Sequence, residues 1–159
     1  MWAAQQPLDM KVFGVRYDDT ELLGRWVVPS GAWQPAGVAL HLANGALFGA
    51  LYATLAPRLP GPAALKGPLA GMTEHVVTWP GTALLDRIHP AADRLPQLWG
   101  SGRAVAQATW RHLLFGAVLG ELERRLNPPE PFAPLPVDDV VVASNGHGSA
   151  EHLASPEPV

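Results

Sequence analysis

His41-Leu42-Ala43-Asn44-Gly45-Ala46-Leu47-Phe48-Gly49 recurs seventy-one residues later as His112-Leu113-Leu114-Phe115-Gly116-Ala117-Val118-Leu119-Gly120. Each copy sets a histidine and two glycines at four-residue spacing, which places all three on one stripe of an α-helix. Small residues at that spacing let two helix backbones approach closely, the packing device typical of helices in a bilayer. Gly45, Gly49, Gly116 and Gly120 are therefore expected to face the interior of a helical bundle, with the helices of the two copies running parallel. A third stripe reads in reverse, Gly67-Gly71-His75, as an antiparallel helix between them would require.

The surroundings of the first copy extend this reading. No charged residue occurs from Trp26 to Pro57. Pro35 can open a helix there and Pro57 can close it. Residues 36–56 would rise about 31 Å, close to the roughly 30 Å of a hydrocarbon core. Trp33 and Tyr52 fall near its two ends, where amphipathic rings favour the interface. A second apolar region, 62–88, is interrupted by Pro68 and Pro80, and a third helix over 103–126 ends at Asn127-Pro128-Pro129. A start of the second helix near Pro62, rather than Pro68, is what would bring His75 level with His41 and His112. The fold class expected is all-α: a membrane-embedded bundle of about three helices (36–56, 62–88, 103–126).

Residues 1–34 precede the bundle. Asp18, Asp19 and Thr20 can cap a short helix through Leu23 that Gly24 would end, and Pro29-Ser30-Gly31 marks a turn between Trp26 and Trp33. Met1–Pro7 has neither a basic stretch nor a continuous apolar core, so no signal peptide is expected. Lys11, Arg16 and Arg25 outnumber Arg58 and Lys66, which favours an inside N-terminus. Residues 127–159 hold five acidic residues, no Lys or Arg, and repeated prolines. They read as a disordered acidic tail that could dock a partner.

Composition agrees with a membrane chain. Of the 159 residues, 48% are hydrophobic and only 16% charged, against roughly 25% charged in soluble domains. The net charge of −3, with no basic run or stripe, argues against nucleic acid as a partner. Cysteine is absent, which removes disulfides and thiolate metal sites. No nucleophile–base order, phosphate loop, dinucleotide fingerprint or His-Glu-x-x-His occurs, so no catalytic residues are assigned and a non-enzymatic role is expected.

Several polar groups fall within the apolar regions. His41, His75 and His112 are expected to bond across helices and fix packing, as is Asn44. Two or three facing imidazoles could alternatively hold haem iron or another metal. An ionisable residue at membrane depth suggests an ion or proton path, which makes Glu74 a candidate. Its structural alternative is an ion pair with Arg111 or Lys66, or a place near the membrane interface. Arg111-His112 reads as helix-end charge, and so does Glu121-x-Glu123-Arg124-Arg125. His147 and His152 in the tail are expected to be solvated.

The stretch from Gly37 to Asn127 resembles small integral membrane proteins of high-GC bacteria for which no activity is known. The carrying segments are the His41–Gly49 motif, Glu74-His75 with Trp79-Pro80, and Thr109-Trp110-Arg111-His112 with its following residues. The resemblance implies a bacterial inner-membrane location and transfers no site. The expected role is a structural or complex-associated membrane component, with lipid around it and a protein partner or second copy held by the glycine stripes or the tail. The alternatives are a membrane protein that handles a cofactor or protons through His41, His75, His112 and Glu74, and a soluble helical interaction module.

Overall fold

A computed structural model describes residues 2–128, and these are all-α, with no strand among the described residues. The helices are α1 (Trp2–Phe13), α2 (Asp19–Val27), α3 (Gln34–Leu55), α4 (Ala63–Thr78), α5 (Thr82–Ile88) and α6 (Gly102–Leu126). Short 3-10 turns follow α3 and α4, the second at Trp79–Gly81. The expectation for the tail falls on 129–159, outside the described residues, as do His147 and His152.

The caps explain the boundaries. Asp18 accepts from the backbone N–H of Thr20 at 2.9 Å and starts α2. Ser101 does the same for Ala104 at 3.3 Å at the start of α6. Pro35 sits in the first turn of α3. Pro62 occupies the N-cap of α4, and Pro68 lies within that helix. Pro80 falls in the 3-10 turn that separates α4 from α5, so the expected 62–88 helix is broken where proline denies the backbone a donor.

Two differences from the sequence expectation concern the N-terminal region. α1 is a helix that no local signal announced. α2 runs past Gly24 to Val27, because this glycine is there for contact rather than termination. A Cβ on Gly24 would stand 2.9 Å from the backbone nitrogen of Gly37, and one on Gly37 would stand 2.8 Å from the carbonyl carbon of Thr20. Two helices thus cross backbone to backbone at a pair of glycines, one on each.

The same device joins α4 to α6. A Cβ on Gly67 would lie 2.6 Å from the nitrogen of Gly120, one on Gly116 would lie 2.8 Å from the Cα of Pro68, and one on Gly71 would lie 3.4 Å from the Cα of Gly116. Low residues on α4 therefore meet high residues on α6, and the pair is antiparallel. α3 runs parallel to α6: Phe48 faces Phe115 with ring centroids 5.6 Å apart, and the Tyr52 hydroxyl approaches Gly120.

The packing expectation is corrected at the first copy of the repeat. A Cβ on Gly45 would meet nothing within 4 Å, and one on Gly49 would meet only the Leu119 side chain at 3.9 Å. α3 stands away from α4 and α6 at this level because a cavity lies between them. Gly116 and Gly120 are covered by α4 of the same chain, which leaves them unavailable to a second copy.

The distribution of side chains is inverted relative to a water-soluble domain. The buried set is mostly polar or small: Asp9, Thr20, His75, Gln107 and Arg111 are inside with two tyrosines, Tyr17 and Tyr52, while Leu98 is the one large aliphatic side chain buried among the described residues. The exposed set is apolar. On α3, Val38, Leu42, Leu47 and Leu51 are exposed, and they fall on more than one side of a 3.6-residue helix. Leu65, Leu69 and Val77 on α4 and Trp110, Leu113 and Leu122 on α6 continue that surface. A small apolar core of Tyr17, Leu98, Ala104 and Ala108 lies where the 95–101 loop and the start of α6 meet the segment after α1.

Candidate functional site

Four candidates separated widely in sequence come together. His41 from α3, Glu74 and His75 from α4, and His112 from α6 line one cavity of about 340 Å³. Its wall is completed by Asp9 of α1, Asp19 of α2 and Arg111 of α6, together with the rings of Phe48, Trp79 and Phe115. Asn44, expected to bond between helices, is exposed and lines the same space.

The α4–α6 register makes the centre of the site. Because Gly71 crosses at His112 and Gly116, the next turn of α4 brings His75 beside His112, with ring centroids 4.7 Å apart and planes inclined by 32°. His75 Nε2 is 3.0 Å from the Thr109 hydroxyl. Its ring also meets Trp79 edge-on at 5.3 Å. Glu74 does not pair with Arg111 or Lys66 as the sequence suggested. Its Oε2 lies 2.8 Å from His112 Nε2, and Lys66 instead donates to the carbonyl of Ala56 at 2.8 Å.

The second nitrogen of His112 determines what the Glu74 contact contains. Nδ1 is 2.7 Å from the carbonyl oxygen of Ala108. A carbonyl only accepts, so Nδ1 carries a hydrogen. The Glu74–His112 contact then holds a single proton, on the carboxyl oxygen in a neutral pair or on Nε2 in an ion pair. Both nitrogens of His112 are thereby committed, and neither can ligate iron or zinc in this arrangement. No group of three His, Asp or Glu residues converges as a metal site among the described residues.

Arg111 is where sequence reasoning erred most. It lies mid-helix and buried, at 8% exposure, not at a helix end. Nε and Nη2 donate to the two oxygens of Asp9 at 2.6 and 2.8 Å, a bidentate pair. Nη1 donates to Asp19 at 2.9 Å, Nη2 also reaches the Tyr17 carbonyl at 2.9 Å, and the guanidinium carbon is 5.2 Å from the centre of the Tyr17 ring. Gln107 adds a 2.8 Å hydrogen bond to Asp9. Burial on its own would raise the Asp9 carboxyl, but the Arg111 and Gln107 bonds outweigh it and hold the group below its ordinary value of 3.8. Burial, joined by the Asp19 charge, pushes the Tyr17 hydroxyl well above its ordinary value.

Asp9 and Asp19 carried no sequence signal for this role, since 102 and 92 residues separate them from Arg111. An arginine inside an apolar helix needs a buried acidic partner, but the sequence does not say which of the acids supplies it. The other long-range polar tie is structural. His89 Nδ1 accepts from the backbone N–H of Ala91 at 3.1 Å, so its Nε2 donates to the carbonyl of Leu22 at 2.9 Å.

No protein-family model, no curated protein and no solved structure matches this chain. Among the described residues one helix, from Gln34 to Arg58, is long and apolar enough to cross a membrane, and little of it is buried.

Proposed function

We propose that the chain is an integral membrane protein of a bacterial inner membrane, with α3 crossing the bilayer and α4 and α6 packed beside it. The observation that carries this reading is the inverted distribution of side chains: charged and polar groups inside, large aliphatic groups outside. Each exposed leucine or valine forgoes about 1.5–3 kcal/mol in water relative to burial. Lipid removes that cost. The polar interior suits the same setting, since ionisable groups at membrane depth face the bundle and pair with one another. A core helix of a soluble module would be covered, and α3 is not.

Within that setting the bundle acts as a non-enzymatic membrane component built round a polar cavity. A second reading, that the component handles protons or a ligand, is favoured by one specific observation: His41, Glu74, His75 and His112 line a single cavity. The one-proton Glu74–His112 pair is suited to accepting or giving a proton without a large rearrangement.

Fractionation tests the membrane reading. The full chain is expected in the membrane pellet after alkaline carbonate washing, and to need detergent for release. Recovery as a soluble monomer without detergent overturns it.

A further inference from the structure

We propose that the cavity binds a small organic cation with an aromatic body, with Glu74 as its counter-charge. The proposal rests on the membrane reading above, which gives the cavity its apolar surroundings.

Size and wall come first. The cavity, about 340 Å³, is within the range of roughly 300–1,000 Å³ usual for small-molecule pockets. Phe48 and Phe115 form one aromatic wall, and Trp79 with His75 forms another. Faces of this kind attract a cation through the negative potential of the ring.

Charge then selects the ligand. The carboxylates facing the cavity are Asp9 from α1, Asp19 from α2 and Glu74 from α4. Arg111 is the permanent positive charge on this wall, and four of its five N–H donors are taken by Asp9, Asp19 and the Tyr17 carbonyl. The remaining titratable groups are Tyr17, neutral at ordinary pH, and the histidines at 41, 75 and 112. The Glu74–His112 contact holds one proton and is neutral as a pair wherever that proton sits, so with neutral imidazoles at 41 and 75 the cavity has one more negative than positive charge. The 4.7 Å approach of His75 to His112 opposes charging both rings. Away from water an uncompensated carboxylate is costly. The wall therefore lacks a cation, and an anion would add to its excess.

Glu74 is the group best placed to receive it. Its carboxyl meets His112 through Oε2, and the side chain is 27% exposed on the cavity. Oε1 can accept from an ammonium N–H while the His112 contact stays in place. Asn44 supplies a neutral polar group on the facing helix.

The test uses the full chain in phosphatidylcholine nanodiscs and titration calorimetry with three probes of one shape: benzylammonium, benzyl alcohol and benzoate. Benzylammonium is expected to bind saturably, at least about tenfold tighter than the other two, the scale of one hydrogen bond to a charged group. Glu74→Gln should remove that preference, Phe115→Leu should weaken benzylammonium a few-fold, and Val76→Ala on the exposed face of α4 should change nothing. Equal or tighter binding of benzoate or benzyl alcohol overturns the proposal, and so does absence of saturable benzylammonium binding. If Glu74→Gln fails to fold, the wild-type probe series together with Phe115→Leu still decides it. Carbonate fractionation of the same protein is read separately. A soluble chain that prefers benzylammonium refutes the membrane reading alone, and a membrane-bound chain without the preference refutes this proposal alone.

Discussion

The two copies of His-Leu-x-x-Gly-Ala-x-x-Gly share their pattern and differ in what stands against them. In the second, α4 crosses Gly116 so closely that an added Cβ would collide with backbone, and one on Gly120 would stand 3.3 Å from the Cα of Gly67. In the first, Gly45 opens onto the cavity and Gly49 has only a side-chain tip near it. The difference lies in the partner. Gly67 and Gly71 on α4 supply the matching small residues for α6, whereas the α3 stripe faces Phe115 and Leu119, which keep the helices apart. A glycine stripe permits close approach, and a second stripe opposite it brings that approach about.

The largest effect should come from filling the closed copy. Gly116→Ile drives a four-carbon branched side chain into the backbone of Gly67 and Pro68, so α4 and α6 must separate and their whole contact is lost, beyond the about 1–3 kcal/mol of overpacking that side-chain shifts can absorb. The variant is expected to lose cooperative melting in detergent, followed by circular dichroism, while Gly45→Ile keeps it. Equal damage from both would show that the two copies are packed alike.

Next is Arg111→Ala, which leaves Asp9 buried and unpaired. Breaking a buried pair from one side typically costs about 3–5 kcal/mol, so the melting midpoint should fall steeply. Asp9→Asn together with Arg111→Ala should recover part of the loss.

Acid acts on the same pair more gradually. Asp9 is held below its unfolded value of 3.8. Its contribution is therefore complete above that value and is lost as pH falls below 3.8 through the folded one. Wild-type melting midpoints should drop over that interval, and the slope should be shallower in Asp9→Asn. Identical slopes would assign the acid sensitivity to other groups.

The smallest expected effect has the opposite sign. Gly45→Ala adds a methyl group where nothing lies within 4 Å, and exchanging glycine for alanine inside a helix gains up to about 1 kcal/mol. A modest rise in melting temperature is expected. A fall would mean that α3 closes onto α4 or α6 in the folded protein.

Much of the helical layout was legible because its signals are local. The uncharged run marked α3, Asn127-Pro128 marked the end of α6, and the reversed Gly67-Gly71-His75 stripe pointed to an antiparallel α4 with His75 beside His112. The start of α4 at Ala63 followed the proline that brings the histidines level. What stayed hidden depends on distance along the chain. Gly24 resembles a helix stop until Gly37 is seen against it. Arg111 resembles end charge until Asp9 and Asp19 are placed round it. Gly45 resembles Gly116 until the opposite helix is known. Periodicity shows which side of a helix is special, and it carries no information about what comes to rest on that side.

The Arg111 cluster also implies an order of assembly. α1 is held to α6 by bonds that span 102 residues, and α1 leaves Leu8 and Val12 exposed while burying Asp9. Closing so long a loop is slow compared with forming neighbouring helix pairs. During synthesis α1 is made before α6, so its carboxylate meets its guanidinium only when α6 emerges. A nascent chain halted before Arg111 would therefore carry α1 without this tie.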